Sequence, residues 1–286
     1  MAVDLYRRIV QIREEGRRAA LATIVRRVGS TPRKDHAKML IEEDGTSWGS
    51  VGGGCVEAEV WQKAFDVIES GKSVLIGYEM KDEEAREEGL ICGGTVEVFV
   101  EPVLPDPKVV LLGAGHLGCS IARLAHDLGF QVTVADDREA FANRERFPMA
   151  DRIVVDRFQA CLLDVPVDSN TYILVVTRGH SHDQEALRAA VTTDARYVGL
   201  VGSRRKIKII VEALLDQGVP EAAFEKLYAP IGLDIGSETP EEIAVSVMAE
   251  LIALRKGRHR LSEKQEFVKA LLKDRVRHPL ADKAEI

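Results

Sequence analysis

A chain of 286 residues that is 45% hydrophobic and 30% charged can bury a substantial core, and its length suits two domains of roughly 100 to 180 residues each. The formal net charge of -7 and pI near 5.6 exclude a broad electrostatic attraction to nucleic acid or to an anionic membrane, because that attraction comes from clustered Lys and Arg. The expected partners are proteins and small molecules.

The opening MAVDLYRRIVQIREEG interrupts every apolar run with charge, so neither a signal-peptide core nor a spanning helix is expected there, and the expected compartment is the cytoplasm. Leu5, Ile9 and Ile12 recur at helical spacing, which predicts an amphipathic helix over 4–16. AALATIVRRV (19–28) reads as a strand, GSTPRKD (29–35) as turn chemistry, and AKMLIEEDGTSWGS as a hairpin turning at Asp44-Gly45. After the loop VGGG, the residues Val56, Val60, Ala64 and Val67 share one helical face up to Gly71. VLIGYE then returns as a strand, and the charged run KDEEAREEG leads through CGG into the strand TVEVFVEPV.

LPDPK (104–108) is the expected domain boundary, giving 1–104 and 105–257 as domains and 258–286 as a peripheral charged tail with a helix and a frayed end. Beyond it, KVVLLGAGHLG opens an alternation of strands (QVTVADD, RIVVD, TYILVVT, YVGLVGS) and helices. Such alternation predicts a parallel sheet. The expected fold class is thus α/β: a C-terminal Rossmann-like doubly wound parallel sheet behind a smaller N-terminal α/β domain with a mixed sheet. SETPEEIAVSVMAELIALRKG places proline at a helix start, acids in the first turn and bases in the last, as the helix dipole favours.

Gly113-Ala-Gly115-His116-Leu-Gly118 follows a strand and opens a helix, the setting in which this spacing binds dinucleotides. The first glycine permits the turn, the second admits a pyrophosphate, and Gly118 lets the helix pack against the strand. Asp136, 23 residues after Gly113, would accept ribose hydroxyls and repel a 2′-phosphate, favouring NAD or another unphosphorylated ribose over NADP. The plainer reading is a Rossmann turn with no bound dinucleotide. Gly52-Gly53-Gly54-Cys55 uncovers backbone amides at a helix start, where the dipole would stabilise a thiolate at Cys55. Cys92-Gly93-Gly94 offers a second sulfur, and a thiolate pair suits a soft metal. Both can also be read structurally, the first as a buried small residue at a helix start and the second as a turn with an inert thiol. The four cysteines form no C-x-x-C pair, which argues for reduced thiols, with Cys119 and Cys161 among apolar neighbours in the core.

Ser30 and Arg33 in the GSTPR loop form a candidate anion hook. Arg178-Gly-His180-Ser-His182-Asp183 stands at the carboxyl end of a strand, where two imidazoles and a carboxylate could hold a metal or move protons; in the plainer reading Ser181 or Asp183 caps the helix. Gly202-Ser203-Arg204 repeats that position after the next strand and is a candidate phosphate contact.

GSTPR, AKMLI, GSVGGGCVEAEV, CGG, LGAGHLG, GHSHD, YVGLVGSRRK and PIGLDIGSETPEEIAVSVMAEL, in this order over about residues 5–255, resemble the XdhC/CoxI family of xanthine dehydrogenase accessory factors. One departure is Asp35-His36, where the family often has glycine. The resemblance implies a protein that binds molybdenum cofactor (molybdopterin, as such or in a dinucleotide form), helps its terminal sulfuration and delivers it to an apo molybdenum hydroxylase. It implies a cysteine desulfurase as sulfur donor, a homodimeric assembly and no turnover of a small substrate. Its glycine–cysteine loop falls on Gly52, Gly53, Gly54 and Cys55, its second cysteine motif on Cys92, Gly93 and Gly94, and its nucleotide turn on Gly113, Gly115 and Gly118. On this reading Cys55 and Cys92 stand near the metal or its transferable sulfur. Two other readings stay open: a nicotinamide-dependent oxidoreductase with a histidine such as His180 as proton donor, and a nucleotide-binding scaffold for a molybdoenzyme.

Overall fold

The computed structural model describes residues 4–29, 37–52, 54–80, 94–257 and 267–273, without the side chains of Cys55, Glu79 and Met80. It divides into two compact units, Met1–Asp106 and Pro107–Ile286.

The first unit starts with helix α1 (Leu5–Glu14), capped by Asp4, whose carboxylate accepts from the Tyr6 and Arg7 amides. Strands β1 (Ala19–Gly29), β2 (Lys38–Glu42), β3 (Ser47–Gly49), β4 (Val74–Met80) and β5 (Gly94–Val103), with helix α2 (Gly54–Ser70) between β3 and β4, complete it. The strand order is β3-β2-β1-β5-β4 and every pairing is antiparallel, so the mixed sheet expected from the sequence is corrected to an antiparallel one. The reason is the path of the chain: α2 carries it from one edge strand to the other, so its two flanking strands never become neighbours. The hairpin turns where expected, with Gly45 at φ +87°. Ala20, Ala22 and Ile24 of β1 and Val96, Val98 and Val100 of β5 pack against Val60, Ala64 and Val67 of α2. Ile12 of α1 covers Leu21 and Leu40 on another cluster.

A buried carboxylate fixes the edge of this unit. Glu42 is 1% exposed and accepts from Arg8 Nε and Nη2 and from Trp48 Nε1, each at 2.7 Å, with Arg17 Nη1 2.9 Å away. The Arg8 hydrogen bond, followed by that of Trp48, holds its pKa below the usual glutamate value against the opposing effect of burial.

The second unit contains β6 (Lys108–Leu112), α3 (His116–Asp127), β7 (Gln131–Asp136), β8 (Arg152–Val155), α4 (Phe158–Asp164), β9 (Thr171–Val175), α5 (His180–Val191), β10 (Tyr197–Leu200), α6 (Arg204–Asp216), β11 (Leu227–Tyr228) and α7 (Pro240–Arg255). All six strands are parallel, in the order β11-β10-β9-β6-β7-β8. Sequence order reverses direction between β6 and β9, the doubly wound Rossmann arrangement, with its ligand-binding crevice beyond the carboxyl ends of those strands. The sheet separates two apolar layers, one with α4, α5 and α6 and one with α3 and α7. Residues 267–273 are helical, and Phe267, Val268 and Leu272 pack on the first of these layers. Helix α7 starts with a full capping box: Thr239 Oγ1 accepts from the Glu242 amide, and Glu242 accepts from the Thr239 and Glu238 amides.

Candidate functional site

In the first unit, backbone register brings the termini of several elements to one end of the antiparallel sheet. Gly94, at the start of β5, pairs with Gly29 at the end of β1 and with Met80 at the end of β4. Gly49, closing β3, pairs with Met39 at the start of β2, and the Ser50 amide donates to Lys38 O. From this end the chain runs through Gly52 (φ +141°) to Gly54 (φ +63°), which opens α2, so Cys55 lies in the first helical turn. Ser50 Oγ donates to Glu57 at 2.7 Å and accepts from the Gly52 amide, tying the loop to α2. Cys92 and Gly93 immediately precede Gly94, and Ser30 and Arg33 follow Gly29, in sequence. These four residues and Gly53 lie outside the described residues, as does the Asp35-His36 departure. Tyr78, two residues before the end of β4, is 8% exposed and its hydroxyl has no hydrogen-bond partner among the described residues. Burial, with Glu59 of α2 adding, pushes its pKa up to about 12.

In the second unit the glycine turn has a steric reason at its first and last positions. A Cβ on Gly113 (φ +125°) would lie 2.4 Å from Val176 O, and one on Gly118 would lie 2.2 Å from Gly113 O. A Cβ on Gly115 would meet nothing within 4 Å. The turn is therefore closed on its protein side and open over its middle glycine, where the α3 amino terminus can offer N–H donors to an anion. His116 is exposed in the first turn of α3. Ser120 Oγ reaches Glu241 at 3.2 Å, so the start of α7 lies beside that of α3. The loop before α7 is fixed to it: Gly232 (φ +87°) has no room for a Cβ beside Ser246 Oγ, which donates to Leu233 O.

Asp136 ends β7 as expected, but its carboxylate is 1% exposed and already engaged. It accepts from the Ala114 amide at 2.8 Å, the Arg138 amide at 3.1 Å, Arg138 Nε at 2.8 Å and Arg138 Nη2 at 3.0 Å. The neighbouring Asp137 accepts a two-pronged contact from Arg178, at 2.5 and 2.9 Å, which drives the Asp137 pKa well below the carboxylate range. Arg138 was not singled out by motif reading; the signal was its place two residues after the strand-end acid, in the ADDR run.

The His180-Ser-His182-Asp183 constellation does not converge on a metal, and no group of three metal-ligating side chains occurs among the described residues. His180 is exposed in the first turn of α5, and His182 packs edge-on against Phe158, ring centres 6.2 Å apart. Neither Ser181 nor Asp183 caps α5, whose cap is Gly179 with no side-chain bond. Asp183 is instead buried, accepting from Thr177 Oγ1 at 2.8 Å and paired with Lys206 Nζ. Lys206 is a second residue that motif reading passed over. Ser203 caps α6 by accepting from the Lys206 amide at 3.3 Å; Gly202 precedes it, and Arg204 begins the helix, exposed. Cys161 is buried, with its thiol pKa raised to about 11 by burial, and Cys119 is half-buried with its S–H directed at Arg146 O. Both are core thiols.

The family model for the XdhC and CoxI family matches residues 12–79, which hold the glycine–cysteine loop, and that for the XdhC Rossmann domain matches residues 109–251, which hold the crevice. The chain belongs to the XdhC/CoxI family. Among relatives of this XdhC/CoxI protein, Escherichia coli K12 YqeB, itself uncharacterized, is 34% identical over 88% of the chain. The chain spans only 46% of the length of that relative. A probable xanthine dehydrogenase subunit of Bacillus subtilis 168 is 28% identical, with 85% of this chain and 95% of the relative covered. The molybdenum cofactor insertion chaperone PaoD of E. coli K12 is 24% identical, with 84% of each covered. No described helix of this family member is long and apolar enough to cross a membrane.

Proposed function

We propose that this protein binds molybdenum cofactor, assists its terminal sulfuration and inserts it into a molybdenum hydroxylase such as xanthine dehydrogenase, with a cysteine desulfurase as sulfur donor and a homodimer as the working assembly. The observation that carries the reading is the single sheet end to which Gly29, Met80, Gly94 and the Gly52–Gly54 approach to Cys55 are brought. Motifs far apart in sequence thereby serve one region, as a site for one cargo requires. The names of the B. subtilis and PaoD relatives support the same direction.

The chemistry asked of the chain is modest. Gly52 and Gly54 adopt positive φ that side chains disfavour, and on this reading the amino terminus of α2 receives a bulky, anionic ligand. The α2 dipole favours the thiolate of Cys55, which together with Cys92 would face the cargo's molybdenum or transferable sulfur. The Rossmann turn at Gly113, Gly115 and Gly118 grips a phosphate-bearing ligand of its own unit, a nucleotide such as NAD.

The test is retention. Protein isolated anaerobically from a molybdate-supplied host should carry molybdenum and a pterin that fluoresces after oxidation, and Cys55→Ser should lose both while keeping its circular dichroism and melting temperature. Undiminished loading of a target hydroxylase by Cys55→Ser would remove Cys55 from the mechanism. Turnover of NADH with a carbonyl substrate would favour the oxidoreductase reading instead.

A further inference from the structure

The end of strand β7 decides what kind of ribose the Rossmann crevice accepts. A strand-end carboxylate excludes a ribose phosphate when it faces the ligand with its charge uncompensated. Asp136 does neither. It is buried, its oxygens are taken by the Ala114 amide and by the guanidinium fork of Arg138, and Arg178 Nη1 stands 3.9 Å from Oδ1.

What remains for a ligand is the outer side of two arginines. The Arg138 guanidinium lies over the Phe141 ring, 3.7 Å from its centre, so its plane is fixed by stacking as well as by the carboxylate. With Nε and Nη2 spent on Asp136, its Nη1 hydrogens have no hydrogen-bond acceptor among the described residues. Arg178 is held likewise by Asp137 and keeps its Nε. Both side chains retain access to solvent, 29% for Arg138 and 36% for Arg178. Guanidinium groups pre-oriented in this way match the geometry of a phosphate monoester.

The segments that follow three of the strands have the same sign, whereas that after β11 carries the acids Asp234, Glu238, Glu241 and Glu242. In the segments that follow β7, β9 and β10, namely 136–138, 177–183 and 202–206, five cationic side chains (Arg138, Arg178, Arg204, Arg205 and Lys206) stand against three carboxylates, in a chain of net charge -7. Beside them the space over Gly115 and Gly179 is open, with nothing within 4 Å of an added Cβ. A local cationic rim on an acidic protein suits a ligand with more negative charge than a pyrophosphate alone.

We infer that the crevice selects a dinucleotide whose ribose, at the β7 end, carries a phosphate monoester, the NADP type in preference to NAD, with Arg138 as the specificity-determining residue and Arg178 supporting it. This reverses the preference expected from Asp136 in the sequence. It rests on the assignment of a phosphate-bearing ligand to this crevice and narrows its class.

Titration calorimetry of the full chain with NADP+, NAD+, 2′,5′-ADP and 5′-AMP tests it. NADP+ and 2′,5′-ADP should bind about tenfold or more tightly than their partners lacking the 2′-phosphate, as one well-placed guanidinium–phosphate contact supplies. Arg138→Ala should abolish that ratio while NAD+ affinity changes little, and Arg138→Lys should restore part of it. Equal or tighter binding of NAD+ by the unmodified protein overturns the inference and leaves the nucleotide assignment standing. Binding of neither dinucleotide overturns both.

Discussion

The two glycine loops of this protein look alike in sequence and are held by different forces. In the Rossmann turn, Gly113 and Gly118 are required by packing, since an added Cβ would strike Val176 O or Gly113 O. At Gly52 and Gly54 the requirement is one of backbone conformation, positive φ at the entrance to α2. The first loop is locked by its own fold, whereas the second sits at a sheet end where a buried phenol, Tyr78, has no hydrogen-bond partner among the described residues. The contrast separates glycines that hold structure from glycines that leave room.

The largest effect that can break this comparison lies within a single turn. Gly113→Ala and Gly118→Ala should each cost about 3 kcal/mol or more, through overpacking against backbone atoms that cannot move aside. Gly115→Ala should cost only about 1 kcal/mol, the penalty of alanine at the N-cap of α3, because its added methyl meets no neighbour, yet weaken nucleotide binding. Urea denaturation of the three variants reads the difference; equal losses at all three positions would contradict the division of roles.

A smaller effect is expected from the buried acid of the first unit. Glu42→Gln should lower stability by about 1–2 kcal/mol at pH 7, since Arg8 and Trp48 lose a charged acceptor. The folded pKa of Glu42 is depressed, so the stability it contributes is fully present above the usual glutamate value, and it disappears as pH falls through the depressed folded value. The gap between variant and wild type should therefore close on acidification below about pH 4.5; a gap constant down to the acid transition would contradict the pairing.

The smallest effect sharpens the contrast from the other side. Tyr78→Phe removes a buried hydroxyl without a described partner and should raise the ligand-free melting temperature, by up to about 1 kcal/mol of stability. A lowered melting temperature would mean that the hydroxyl is satisfied within the fold.

Much of the second unit was legible from local pattern. Strand–glycine–helix order gave the Rossmann turn, and Glu238-Thr239-Pro240-Glu241-Glu242 announced a helix start, which Thr239 and Glu242 cap. Residues whose meaning depends on a distant partner were not legible. Asp183 read as a cap or a metal ligand because Lys206, 23 positions later, gives no local sign that it pairs with it. Asp136 read as a ribose acceptor because sequence shows a carboxylate's place along a strand and not what already occupies its oxygens. The antiparallel sheet of the first unit was missed for the same reason: β1 pairs with β5 across more than half of that unit's sequence, and alternation alone does not reveal a partner's direction.

The most direct test of the central claim is the identity of the small molecule that leaves the anaerobically isolated protein on denaturation, measured by mass spectrometry beside its molybdenum content, for wild type and Cys55→Ser. The account predicts molybdopterin, alone or as a dinucleotide, with molybdenum in the wild type and neither in the variant. A wild-type protein that releases no pterin, or a variant that releases as much as wild type, would contradict it.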